Sequence, residues 1–296
     1  METKKTVAEI VTEHFIKGLE RTGKWMQPWK GGIQPQNLVH KKPYNGINWL
    51  LCTMNAERFT SPFYLTEKQI KDMGGRYNGE ATLLTFWKML KFDKKNAKTN
   101  ADEEKTIPYM RFYKAFNIEQ VTGIDFTKFI TAEERAAIEG GRSIEPNEAF
   151  KAIMDGWKDK PAIIHHGARA CYIPRADEIH MPPADIFNTT AGYAATLAHE
   201  SIHATGHANR VNRDLTGSFD RESYSFEELI AEIGSCMLMS EVGYFDAVKE
   251  NSVAYVNTWV ARLKEHPKMI LQAATKAEKA VQWIKGIHKD QLEVKD

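Results

Sequence analysis

No apolar run in these 296 residues approaches the 18 or more that a membrane-spanning helix needs, so no membrane partner is expected. The opening Met1-Glu2-Thr3-Lys4-Lys5 leads into an amphipathic stretch without the apolar centre of a secretory signal, and a cytoplasmic location is expected. Cysteine is scarce. Cys52, Cys171 and Cys236 are odd in number, widely spaced and in no Cys-x-x-Cys pair, which argues against a disulfide framework and a thiolate zinc site. No internal repeat is visible, and the formal net charge is only +1.

That total conceals an asymmetry. Residues 1–128 carry 21 Lys and Arg against 14 Asp and Glu, a net of +7, whereas residues 129–296 carry 19 against 25, a net of −6. A basic half suits a polyanionic partner; the alternative is a solvated lysine-rich surface. The basic half also interleaves aromatic and cationic residues, at Trp25, Trp29, Lys30, Lys41, Lys42 and Tyr44. Such mixing suits single-stranded nucleic acid, because bases stack on rings while cations track phosphates. The alternative is that the two tryptophans anchor a loop on the core.

The most informative stretch is Ala198-His199-Glu200-Ser201-Ile202-His203, a His-Glu-x-x-His pattern inside a run that reads as helix. At 3.6 residues per turn His199 and His203 share one face, so two imidazoles converge on one metal ion. Glu200 is placed to activate water as a general base, the arrangement of a zinc peptidase. Zn2+ or another divalent metal is therefore the expected cofactor. A catalytic zinc takes three protein ligands and keeps one position open. His207 lies four residues past His203 rather than six, the wrong spacing for a third histidine. Glu228 and Glu232 stand four apart on the next predicted helix. Glu228 is the preferred ligand, with Glu232 orienting a histidine through its other ring nitrogen or serving as the ligand itself.

Around this centre the periodicities predict a helix over Thr6–Glu20 opened by the capping box Thr6-Val7-Ala8-Glu9, a helix from Tyr44 to Arg58, a short helix capped by Thr66-Glu67-Lys68-Gln69, and a strand over Thr82–Leu90. Asp93–Lys105 is polar and predicts a mobile loop, with Ile107–Ile118 as the returning strand of a hairpin. Short helices follow at Thr131 and at Glu148–Trp157, then a hairpin of Pro161–His165 with Ala168–Ile173. Asp177–Met181 is a further strand, expected at the sheet edge as a rail for an extended substrate. Helices over Phe226–Met239, Tyr255–Leu263 and Pro267–Ile284 end the chain. The fold class is α+β, with a boundary placed between domains 1–128 and 129–296.

Several ordered motifs together resemble a known family, the ArdC-type antirestriction proteins of conjugative plasmids. These are Tyr44-Asn45-Gly46-Ile47-Asn48, Leu65-Thr66 with Gln69 and Gly74-Gly75, Ala115-Phe116-Asn117-Ile118-Glu119-Gln120, His199–His203 with Thr205-Gly206-His207, Phe226–Glu232, and the region from Trp259 to Trp283. The N-terminal part is also similar to that of TraC-type primases. The resemblance implies a single-stranded DNA-binding α+β domain followed by a zincin-like metallopeptidase α+β domain, and protection of incoming plasmid DNA from restriction. Related peptidases carry a Glu-x-x-Ala-Asp pattern at the third ligand, which Glu228–Glu232 follows with Glu in place of Asp. Two functions follow as alternatives. One is an enzyme brought by DNA to a host protein as its peptidase target; the other is a protein that coats and masks single strands, in which the metal only holds the fold.

Overall fold

The structure is a computed structural model and describes residues 5–22, 33–54, 58–95, 102–140, 145–215, 221–244 and 259–287. Helix α1 (Val7–Thr22) begins at the expected capping box: Glu9 N donates to the Thr6 hydroxyl at 3.3 Å, and Thr6 N donates to the Glu9 carboxylate at 2.6 Å. Gly18 lets α1 lie close to the end of α2 (Ile47–Thr53), since a Cβ at Gly18 would stand 2.8 Å from Met54 Cβ.

The N-terminal sheet contains β1 (Gln36–Asn37), β2 (Phe63–Thr66), β4 (Thr82–Lys95) and β5 (Asp102–Asn117), in the order β1-β2-β5-β4. Strand β2 is buried on both faces, so Phe63 and Leu65 enter a small core with Leu38, Ile70 and Phe116, while Tyr64 enters the main core. Such a strand reads as a continuous apolar run, which conceals its alternation. Helix α3 (Glu67–Asp72) follows with its capping box formed by Thr66 and Gln69. Strands β3 (Arg76–Tyr77) and β6 (Val121–Thr122) make a separate two-stranded pair.

The hairpin of β4 and β5 is longer than the sequence predicts. Pairing runs from Thr82↔Ala115 out to Lys95↔Asp102, through residues expected to be a mobile loop. A polar ribbon needs no core to pair, because its ladder bonds join backbone groups.

Helices α4 (Ala132–Gly140) and α5 (Pro146–Gly156) lead to strands β7 (Ala162–His165), β8 (Cys171–Ile173) and β9 (Glu178–Met181). The predicted hairpin of the first two does not form. The order is β7-β9-β8, with β7 parallel and β8 antiparallel to β9. Strand β9 is central rather than an edge because Ile179 and Met181 are its most buried residues, both at 0% exposure, and fasten it over the core.

Helices α6 (Thr190–Ala204), α7 (Arg221–Val242), α8 (259–265) and α9 (Lys268–Ile284) complete the chain. Ala273, Ala274, Ala277 and Ala280 give α9 a narrow buried face that lets neighbours approach closely. Those neighbours include α1 and α2 from the basic half: Thr12 donates to Pro267 O at 2.6 Å, and Gly46 N donates to the half-buried Glu278 carboxylate at 3.2 Å. The main core therefore runs through both halves of the chain. Among the described residues no helix is long and apolar enough to cross a membrane.

Candidate metal centre

Helix α6 starts where the Thr189 side chain accepts from Gly192 N at 3.0 Å. Its last carbonyls accept from Thr205, Gly206 and His207, and two buried arginines add further bonds there. Arg210 donates to Ala204 O at 2.9 Å and Arg213 to Ile202 O at 2.7 Å. The helix buries Leu197, Ala198, Ser201 and Ile202, which turns His199 and His203 towards α7.

The two Nε2 atoms lie 3.2 Å apart. Glu228 on α7 reaches both, with Oε2 3.5 Å from His199 Nε2 and Oε1 3.4 Å from His203 Nε2. Four-coordinate ligands about 2.0–2.1 Å from one ion stand about 3.3–3.4 Å from one another, so the spacing of this trio fits a small divalent cation. Glu232 is turned to the far side of His199, its carboxylate 3.5 Å from Nδ1. His207 stays apart, its Nδ1 accepting from Asn209 N.

One contributor was given no role from the sequence. Glu227 lies 3.5 Å from His203 Nδ1, so each histidine has a carboxylate on the nitrogen that faces away from Glu228. Arg213 grips Glu227 through Nε and a terminal nitrogen at 2.6 Å, and its other terminal nitrogen donates to the Thr205 hydroxyl at 2.7 Å. The adjacent pair Glu227-Glu228 was a usable signal: two carboxylates one helical position apart, for two histidines.

The electrostatics agree with this arrangement. Burial disfavours charge on His199, yet hydrogen bonds to Glu228 and Glu232 outweigh it and push the imidazole up to about 10. Burial likewise opposes ionised Glu228, and the two histidines hold its carboxyl well below the usual range. A divalent cation bound here would displace the protons of the two imidazoles, since histidine ligates as the neutral ring.

Glu200 points away from α7, and its Oε2 accepts from Tyr172 N on β8 at 2.8 Å. Tyr172 OH in turn donates to Asp177, which Arg210 holds through two 2.8 Å bonds. The strand lying over Glu200 is thus β8, a sheet edge, not the Asp177–Met181 strand.

The expected nucleic-acid residues scatter. Trp25, Trp29 and Lys30 lie outside the described residues. Tyr44 is buried, packed edge-to-face with Tyr64, so its ring offers no face to a base. Lys41 pairs with Glu134 at 2.7 Å over the Phe63 ring, and Lys42 is exposed.

Residues 5–116 match the N-terminal domain of anti-restriction factor ArdC, and residues 151–276 match a zincin-like metallopeptidase family. A DNA primase TraC of Escherichia coli is 32% identical over 99% of this chain, which spans only 28% of that primase. The uncharacterised protein y4eC of Sinorhizobium fredii is 28% identical, with 98% of this chain and 94% of that protein covered. Among solved structures, the metal-free antirestriction protein ArdC of plasmid R388 is 34% identical with a TM-score of 0.71, over 96% of this chain and 98% of that one. Its Mn(II)-bound form superposes with a TM-score of 0.69. With that identity over nearly the whole of both chains, and both halves matched in order, the chain belongs to the ArdC family of antirestriction proteins.

Proposed function

We propose that this protein protects incoming conjugative plasmid DNA from host restriction, binding single-stranded DNA without sequence preference through residues 1–128 and carrying a zinc-dependent peptidase centre in residues 129–296. The observation that carries the catalytic reading is the donor set: three ligands, His199, His203 and Glu228, and beside them a carboxylate, Glu200, that is not one of them. A divalent cation held by these three residues would supply Lewis acidity towards a peptide carbonyl and water. Glu200 takes up the proton from the attacking water and returns it to the leaving amine. Glu227 and Glu232 keep the two imidazoles turned inward. An extended peptide of a host protein pairs with the free edge of β8.

One observation favours the masking alternative, in which the metal is structural. The Tyr172 N–H, a donor on that β8 edge, is already taken by Glu200. A conjugation assay into restricting and non-restricting recipients separates the readings. Glu200→Gln is expected to keep metal and fold and to lose protection; His203→Ala is expected to lose metal and protection. Full protection by Glu200→Gln alongside loss by His203→Ala would assign the metal to structure alone.

A further inference from the structure

The β4–β5 ribbon carries the densest group of exposed apolar side chains among the described residues, including Phe86, Trp87, Met89, Leu90, Ile107 and Phe112. An apolar ribbon held in water calls for a partner. Its charge says which kind. Residues 82–91 and 106–117 contain four basic residues, Lys88, Lys91, Arg111 and Lys114, and no acidic one.

The two faces differ. Cross-strand partners share a face, and the register sets Phe86 opposite Arg111 and Lys88 opposite Tyr109. One face therefore carries a two-by-two checkerboard of ring and cation, between the pairs Leu84–Tyr113 and Leu90–Ile107. The other face brings Trp87 together with Met110, and Met89 with Pro108, and is largely apolar. Among the described residues neither Lys88 nor Arg111 has a carboxylate partner. The checkerboard runs on into a cleft of about 750 Å³ beside α3, lined by Phe86 and Tyr113 with Lys68 and Lys114 at its rim. Glu67 and Asp72 also line that cleft against Lys68, Lys71 and Lys114, and Glu67 is engaged by Lys71 and Tyr77 at 2.7 and 2.9 Å.

Alternating rings and cations match a strand of unpaired nucleotides, whose bases stack while its phosphates need neutralising. A duplex keeps its bases stacked on one another and offers such rings nothing. We propose that the Phe86, Lys88, Tyr109 and Arg111 face of the ribbon, continued by the α3 cleft, is the principal single-stranded DNA contact. This rests on the DNA-binding reading above and moves its contact from the Trp25–Tyr44 segment to the hairpin.

The test is fluorescence anisotropy of a labelled mixed-sequence single-stranded oligonucleotide with the full chain over a series of salt concentrations. The Lys88→Ala/Arg111→Ala pair should lower the slope of log affinity against log salt by about 1.4, at about 0.7 per phosphate contact. Tyr109→Ala should weaken binding by about fivefold to a hundredfold, the effect of losing one stacked base. The pair Lys88→Arg/Arg111→Lys should keep the wild-type slope, and Trp87→Ala on the opposite face should stay within about twofold of wild type. Wild-type protein that binds while the alanine pair and Tyr109→Ala bind equally well would overturn the assignment and leave DNA binding itself intact. A charge-conserving pair as impaired as the alanine pair, or a Trp87→Ala loss exceeding that of Tyr109→Ala, would overturn it too. So would variants that change oligomeric state while keeping DNA affinity, which would give the face to a second copy of the chain. Wild-type protein that fails to bind at all would remove the DNA-binding reading and this inference with it.

Discussion

At the scale of single residues, the centre depends on side chains that never touch the reacting atoms. Glu227→Gln weakens the hold on His203 Nδ1 and is expected to lower metal affinity about 10- to 100-fold, measured by competition with a fluorescent chelator. Arg213 is 3% exposed at its side chain and serves both Glu227 and the end of α6. Arg213→Met leaves Glu227 without its cation and should cost about 3–5 kcal/mol in urea denaturation. Asp177 gives a pH signature. Burial opposes its charge, but hydrogen bonds from Arg210 and Tyr172 prevail and hold its carboxyl below the usual value. A depressed carboxyl contributes stability above its unfolded value and loses it as pH falls through the folded one. The stability gap between wild type and Asp177→Asn should therefore be constant near neutrality and narrow below about pH 4. Asparagine suits this test because residue 177 has a φ of 54°, which Asn tolerates.

At the scale of elements, the centre exists because α6 and α7 pack closely. Gly234 makes that possible: a Cβ there would stand 2.9 Å from Ile202 on α6. Gly234→Val should cost about 1–3 kcal/mol through overpacking, and it should also lower metal affinity, because α7 carries Glu228 away from the histidines. An unchanged metal affinity in a destabilised Gly234→Val would show that the ligands do not depend on this contact. What could be read from the sequence divides along the same line. The coming together of His199, His203 and Glu228 was legible because helical spacing converts directly into geometry, and the capping boxes at Thr6 and Thr66 fixed two helix starts. The central position of β9 was not legible. Neighbours in sequence usually pair, and only the tertiary burial of Ile179 and Met181 puts β8 outside β9 and leaves β7 parallel to it. The outer half of the β4–β5 ribbon was missed because its polar composition argues for a loop, whereas its ladder needs no core. Tyr44 stood in a run of basic and aromatic residues, and such a run does not reveal which ring turns inward.

At the scale of the whole molecule, the charge boundary near residue 128 is not a break in the core, since α1 and α2 pack on α9 and Glu278 accepts from Gly46 N. The full chain should unfold in one transition seen alike by circular dichroism and tryptophan fluorescence, and separated transitions would show two independent units. A cation bound between α6 and α7 should raise that single midpoint, because it binds the folded chain alone. The most direct test of the centre is metal content per chain, by mass spectrometry after dialysis against limiting zinc. The geometry predicts one ion in wild type, Glu200→Gln and Glu232→Ala, and loss of the ion in His199→Ala, His203→Ala and Glu228→Ala. A Glu228→Ala protein that keeps its full ion while Glu232→Ala loses it would contradict the ligand set and the reading built on it.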